Sequence, residues 1–588
     1  MAAQDIITEH LDIWTSAVKT KSASGRGSSK KLDLYGIKKL RELILELAVR
    51  GKLVPQDPND EPASELLKEV LQEKADLTKE KKIKKTKRLD EINTDDFPFE
   101  LPLGWEFARL NDFGDWGAGS TPTRSNTDFY GGNIPWFKSG ELNSEFISES
   151  EEYITELALQ KSSVRYNKVG DVLVAMYGAT IGKCSILAIR GTTNQAVCAC
   201  TPFSKIFNRY LLLILKGYKN RLIGMGAGGA QPNISREKLI STVAPLPPLN
   251  EQHSIVAKVD ELMALCDQLE TQTESSIQAH QTIVETLLVT LTNAKDADEF
   301  NESWQRISQH FDVLFTTEAS IDQLKQTILQ LAVMGKLVKQ DPDDEPASKL
   351  LERIATEKQQ LIKGGKIKKQ KPLPPITDDD KPFELPNGWA WCALAELITI
   401  MDAGWSPACP PEPSLNEKTW GVLKTTAVQS MEFREYENKM LPSNKEPKLQ
   451  YEVKVGDILI TRAGPKNRVG VSCLVQETRP RLMISDKLIR FHLIEVGLSE
   501  RFISLCLNAG ATAEYLEFAK SGMAESQMNI SQDKLKGAPV PLCPLNEQSR
   551  VISKVDQLMS LCDSLKESLN EAQNTQFHLS DAIVEQAI

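Results

Sequence analysis

Residues 37–67 read IKKLRELILELAVRGKLVPQDPNDEPASELL, and residues 321–351 read IDQLKQTILQLAVMGKLVKQDPDDEPASKLL. Aligned without a gap, they agree at 21 of 31 positions, where unrelated segments of ordinary composition would agree at roughly two. The register continues through KIKK at 82–85 and 366–369, then through PFELP with a Gly-Trp pair at 98–105 and 382–389. A second pair of segments closes each repeat. NEQHSIVAKVDELMALCDQL at 250–269 and NEQSRVISKVDQLMSLCDSL at 546–565 share 12 of 20 residues. Between these segments the halves diverge, except for an island, KVGDVLV at 168–174 and KVGDILI at 454–460. The chain is a duplicated frame around two dissimilar fillings, which suits two readers of different things on one scaffold.

The frame reads as helix. Ile255, Val259, Leu262, Leu265 or Cys266, and Leu269 recur at three- and four-residue steps, as do Val551, Val555, Leu558, Cys562 and Leu565, so each segment carries one apolar stripe. About 43 residues of such helix would span roughly 64 Å, and two of them are expected to pack as an antiparallel or coiled-coil pair. Asn250 is placed to cap the first, with Glu251 and Gln252 at its positive end and Leu249 as a staple. Helices over 34–50 and 320–334 should stop at Gly51 and Gly335. Others should start at Pro62 and Pro346 and run into lysine clusters at 79–88 and 363–371.

The fillings are rich in Gly, Pro, Thr, Tyr and Trp, with short β-branched runs between turns. They predict mixed α/β domains of about 150 residues with much loop. The fold class is therefore α/β (α+β), a pseudo-twofold internal repeat of two mixed α/β domains separated by long helices. Its expected divisions are a helical frame at 1–97, a first filling at 98–247, a central helical spacer at 248–380, a second filling at 381–541 and a C-terminal helical spacer at 542–588.

Composition narrows the class. The 588 residues are 41% hydrophobic and 26% charged, ordinary for a globular chain. There is no run of 18 apolar residues and no leader-like start, so neither a membrane span nor a signal peptide is expected. Ten cysteines are scattered without a CxxC pair, which argues against zinc and disulfides and for a reducing cytoplasm. The net charge of -10 is awkward for a DNA binder. It is unevenly spread, however. Residues 98–247 hold 15 basic and 13 acidic groups, and residues 382–541 hold 18 and 19. The two fillings are thus near neutral, and the acidic excess lies in the frame.

Catalytic signatures are missing. GATIGKC at 178–184 is one residue short of a P-loop and ends in Cys, so no hydroxyl would reach Mg²⁺. No Asn/Asp-Pro-Pro-aromatic methyl-transfer motif, HExxH or Gly-x-Ser-x-Gly occurs. A binding or scaffold protein is the better reading.

Several strings resemble one family. Gly119-Ser120-Thr121-Pro122, Phe129-Tyr130-Gly131-Gly132, and Ile134-Pro135-Trp136 with Ser139-Gly140-Glu141 resemble the opening of a target-recognition domain of type I restriction–modification specificity subunits. VGDVL at 169–173 resembles its central strand, Asn194-Gln195-Ala196 a later loop, and PLPPLNEQ at 245–252 the exit into its long helix, repeated at 541–548. Trp420-Gly421-Val422-Leu423-Lys424-Thr425-Thr426 resembles another subtype, and the frame is most similar to the IB-type branch. The resemblance implies a non-catalytic, cytoplasmic DNA-recognition subunit of a phage-defence system. Two recognition domains would read the halves of an asymmetric bipartite target through the major groove. The helical frame would dock two modification (methyltransferase) subunits and the restriction (translocase/nuclease) subunits. S-adenosylmethionine, ATP and Mg²⁺ would then sit on those partners, with no cofactor on this chain and no membrane partner.

Polar residues near strand ends and glycine turns are the candidate DNA contacts. In the first filling these are Lys138, Ser139, Tyr177, Thr180, Lys183, Asn194, Gln195, Gln231 and Asn233. In the second they are Lys424, Thr425, Thr426, Arg462, Lys466, Asn467, Arg468, Lys487, Gln527 and Asn529, with Arg462 and Arg468 best suited to guanine. Each also sits where ordinary loop structure puts polar groups, and Asn233 could instead cap the next helix. The lysine clusters at 81–88 and 366–371 could clamp phosphates or be solvated helix ends. The rival reading is a free-standing, repressor-like bipartite DNA-binding protein without enzyme partners.

Overall fold

A computed structural model describes residues 8–21, 31–86, 89–226, 232–368, 376, 381 and 383–588. The chain forms two compact units, Met1–Ser276 with Ala572–Ile588, and Ile277–Glu571. Both are built to the same plan, of the mixed α/β class the sequence predicts.

The frame begins with helix Tyr35–Val49 in the first unit and Glu318–Val333 in the second. Each stops at a glycine with left-handed backbone, Gly51 at φ +68° and Gly335 at φ +70°. A Cβ on Gly51 would lie 2.5 Å from Pro102 and 2.8 Å from Trp105, and one on Gly335 2.6 Å from Pro386 and 3.0 Å from Trp389. Conformation and close packing both demand glycine here, which explains why the Gly-Lys and Pro-x-Gly-Trp strings recur together. Helices Ala63–Lys79 and Ala347–Lys363 follow. Pro62 and Pro346 lie in extended backbone just before them, one position outside the expected first turn. The lysine clusters lie beyond these helices, and residues 87–88 and 369–371 fall outside the described chain.

The long helices are Leu249–Thr292, of 44 residues, and Leu545–Ala587, of 43. In the first unit Ile255, Val259, Leu262 and Cys266 are buried, and Arg41 of the frame helix pairs with Asp267 at 2.7 Å and Glu270 at 2.5 Å. In the second, Val551, Val555, Leu558 and Cys562 share a core with Ile321, Leu324 and Ile328 of the frame helix. There the stripe closes on its frame helix. The helix tails repeat the pattern too: Lys52 Nζ donates to the Ile588 carbonyl at 2.8 Å within the first unit, and Lys336 Nζ to the Thr292 carbonyl at 2.9 Å within the second.

Each filling hangs from a two-stranded clip. The incoming strand Glu106–Arg109 pairs antiparallel with the outgoing strand Val243–Leu246, and Ala390–Ala393 pairs with Pro539–Leu542. Inside the first filling a five-stranded sheet runs in the order Gly114–Ala118, Val197–Pro202, Val172–Ala175, Cys184–Leu187, Phe146–Ile147. The second has four strands, Ile398–Ala403, Leu488–Leu493, Ile458–Thr461, Ser472–Leu474. The shared Lys-Val-Gly-Asp turn delivers an inner strand of each sheet, its Asp171 or Asp457 accepting the Lys168 or Lys454 amide at 2.8 and 2.9 Å. No helix among the described residues is long and apolar enough to cross a membrane.

Candidate nucleic-acid interface

The Asn-Glu-Gln signature fastens each filling to its frame. The long helices start at Leu249 and Leu545, one residue before the asparagines, so Asn250 is not the cap that the sequence suggests. Its side chain donates to Asp60 at 2.8 Å instead, and Asn546 donates to Asp344 at 2.9 Å. Gln252 accepts the Phe207 amide at 2.8 Å and donates to the Pro247 carbonyl at 3.2 Å; Gln548 accepts the Ser499 amide at 2.9 Å and donates to the Cys543 carbonyl at 3.1 Å. Each glutamine thus ties a helix of the filling to the outgoing strand. Glu251 and Glu547, both buried, receive the indole N–H of Trp105 at 2.8 Å and of Trp389 at 3.0 Å.

One detail distinguishes the two locks. Around Glu251, Trp105 donates to Oε2 while Gln56 donates to Oε1 at 3.1 Å. Around Glu547, Trp389 and Gln340 both donate to Oε1. An amide has only one acceptor oxygen, so Glu251→Gln sets an N–H₂ against a donor, whereas Glu547→Gln can keep both bonds. We expect Glu251→Gln to cost about 1–3 kcal/mol and Glu547→Gln less than about 1, read as the loss of stability in chemical denaturation; equal losses would refute this. Burial raises the pKa of both carboxyls. Each binds its proton more tightly folded than unfolded, so this contribution to stability is fullest in acid and declines as pH rises past the ordinary glutamate value.

The far end of each sheet gathers the candidate contacts. In the first unit, Ala118 lies opposite Cys198, Val197 opposite Ala175, and Val174 opposite Cys184. The loops beyond Ala118 and Ala175 and before Cys184 and Val197 therefore emerge at one tip. Thr193 pairs with Phe137, which brings Lys138 and Ser139 to the same place. Asn233 bridges to Tyr177, and both are exposed. Helix Arg236–Ser241 is capped by Ser235, which accepts the Lys238 amide at 3.2 Å, so Asn233 is not its cap. Lys183 Nζ donates to Asn143 at 2.6 Å, Thr180 to the Tyr177 carbonyl at 2.7 Å, and Gln195 hydrogen-bonds Thr121. Asn194 is half-buried, its carboxamide oxygen accepting the Ala196 amide at 3.2 Å. Lys138 pairs with Glu151 at 2.8 Å and Glu152 at 3.3 Å. Arg124, absent from the sequence-based set, pairs with Glu152 at 2.8 Å and lies over the Tyr130 and Trp136 rings. Gln231 falls outside the described residues.

The second unit repeats this geometry with different side chains. Ala403 lies opposite Ile489, Thr461 opposite Leu488, and Ile460 opposite Ser472, which puts Arg462 and the exposed Lys487 at one tip. Strand Gly421–Leu423 runs parallel to Leu482–Met483 and carries Lys424, Thr425 and Thr426 there. Ala463 pairs with Asn529, which adds Asn529 and the neighbouring Gln527. Lys466 reaches Glu525 at 3.5 Å, Asn467 is exposed, and Arg468 donates to Gln429 at 2.7 Å. Lys424 and Thr426 both bind Glu437, each at 2.6 Å, and hold its pKa below the usual carboxylate range. Arg462 Nε, Thr461 Oγ1 and Ser485 Oγ are buried at this tip without a hydrogen-bond partner. Buried polar atoms in this state call for a ligand or water. Gln429 and Glu437 escape the sequence, because the Arg468, Lys424 and Thr426 groups that they hold come from separate connecting segments brought together only by the fold.

Both tips are polar surfaces on which lysines and arginines, several of them paired with glutamates, stand beside amides and hydroxyls, groups able to meet phosphates and base edges. No group of three or more His, Cys, Asp or Glu suited to a metal occurs among the described residues. Residues 102–279 match the family described as type I restriction modification DNA specificity domain. The chain is 54% identical to the type I restriction enzyme EcoEI specificity subunit of Escherichia coli, and 41% identical to the EcoAI specificity subunit of the same species, in both cases over the whole of both chains. Among solved structures, that of the HsdS subunit from Thermoanaerobacter tengcongensis aligns at a TM-score of 0.41 and 18% identity, over 84% of this chain and 99% of that one.

Proposed function

Because this chain belongs to the specificity subunits of type I restriction enzymes, we propose that its two sheet tips read the two halves of one asymmetric DNA target. The observation that carries this is the contrast between matching locks and dissimilar tips. Asn-Glu-Gln, Trp and Gln recur in both units, whereas one tip carries Lys138 paired with Glu151 and the other carries Lys424 paired with Glu437 and Arg468 bonded to Gln429. A reader of one symmetric site would keep both tips alike. The frame docks the modification subunits, which methylate adenine using S-adenosylmethionine, and the restriction subunits, which use ATP and Mg²⁺. This chain supplies recognition and no catalytic group, and it works in the cytoplasm.

The test is methylome sequencing of a methylation-free host that expresses this chain with its neighbouring modification subunit. The expected result is an asymmetric two-part methylated motif that vanishes when this chain is omitted. A soluble complex that leaves no motif would overturn the reading. Tight, specific DNA binding by the chain alone would favour the free-standing repressor.

A further inference from the structure

We infer that Gln429 is a positioning residue for base recognition in the second unit, and that it presents Arg468 to a guanine; this rests on the recognition role proposed above. Gln429 ends the short strand Val428–Gln429 at the tip. Its carboxamide is held at both ends: Nε2 donates to the Thr426 carbonyl at 2.6 Å, and Oε1 accepts from Arg468 Nη1 at 2.7 Å. Thr426 is itself anchored, its hydroxyl donating to Glu437 at 2.6 Å, and Lys424 pairs with the same carboxylate at 2.6 Å. The chain of contacts therefore runs from an ion pair, through a backbone carbonyl, to a fixed amide and then to the guanidinium.

The chemistry of the last link decides its use. Arg434, just after the next strand Glu432–Phe433, is matched to the Glu432 carboxylate at 2.8 Å and 2.9 Å, which neutralises it. Arg468 instead meets a neutral amide, which orients one N–H and leaves the positive charge in place. Guanidinium offers five donors in a rigid plane. With Nη1 fixed, the rest of the fork keeps a defined direction, as bidentate donation to guanine O6 and N7 requires. Both side chains are half-buried, so neither is a core residue whose loss would unfold the unit.

The test uses the whole complex in the methylation-free host, with three variants: Arg468→Lys, Gln429→Met and the two combined. Arg468→Lys is expected to relax one guanine position, in only one half of the motif, with discrimination falling roughly 5- to 150-fold. Gln429→Met should relax the same position less, and the double variant should be no worse than Arg468→Lys, because the glutamine acts through the arginine. A purely structural glutamine would lower yield or blur every position of that half. The proposal is overturned if Gln429→Met leaves the position sharp, if the double variant is additive, or if Arg468→Lys relaxes no guanine. Absence of any motif with the unaltered chain would instead defeat the recognition role itself.

Discussion

Alanine in place of Gly119 is expected to abolish reading of one half of the target, and alanine in place of Gly404 reading of the other. A Cβ on Gly119 would stand 2.3 Å from the carbonyl oxygens of Thr193 and Asn194, and one on Gly404 1.9 Å from that of Ile484. These are backbone atoms, so no rotamer change relieves the clash. The strand end must move away, breaking the bonds that seat it: Gly119 and Ser120 amides to the Val197 and Thr193 carbonyls at 2.9 and 3.0 Å, and the Trp405 amide to Ile484 at 3.1 Å. Overpacking and lost hydrogen bonds together amount to about 2–5 kcal/mol, concentrated at the tip. Frame and clip lie at the opposite end of the sheet, so the complex should still assemble. The methylome of each variant checks this. Two intact half-motifs in Gly119→Ala would show that the crossing does not shape the reading surface.

The second large effect is an exchange rather than a loss. Replacing residues 106–246 with the matching segment of another family member should convert one half of the motif and leave the other unchanged. The incoming and outgoing strands pair with each other, Glu106 opposite Leu246 and Arg109 opposite Val243. The filling can therefore be cut out at two adjacent points without opening the frame. The lock residues Gln56, Trp105, Glu251 and Gln252 all lie outside the cut. A mismatched base pair costs about 1–3 kcal/mol, roughly additively, so a wholly wrong half-site loses 10³-fold or more in preference. Bisulfite-independent methylation sequencing of the chimera and parent gives the comparison; changes in both halves would mean that the two tips do not read independently.

The architecture was largely legible because it was written twice. The 21 identities in 31 residues, the apolar stripes and the glycine stops each map onto a helix or its end. The Lys-Val-Gly-Asp island maps onto an inner strand of each sheet. The lock was only half legible. Glu251 looked like a residue drawn to a helix dipole, because its indole donor lies 146 positions earlier in the chain. The tips were least legible. Lys138, Tyr177 and Asn194 could be picked out as polar loop residues, but their convergence depends on strand register. Gly404-Trp405-Ser406-Pro407 is the structural counterpart of Gly119-Ser120-Thr121-Pro122, yet one residue of slippage relative to the frame repeat hid it.

The clip has a consequence for heredity. Both attachment points carry the same fittings, Trp and Gln reaching a glutamate and Asn-Glu-Gln leading the long helix. A segment that inserts at one of them meets the same kinds of anchoring residue that it would meet at the other. A lineage holding n interchangeable segments could thus compose on the order of n² ordered targets from a single gene. Its near-duplicate flanks are also where recombination would cut and rejoin, so new addresses would arise by shuffling, without a single new contact to the rest of the machine.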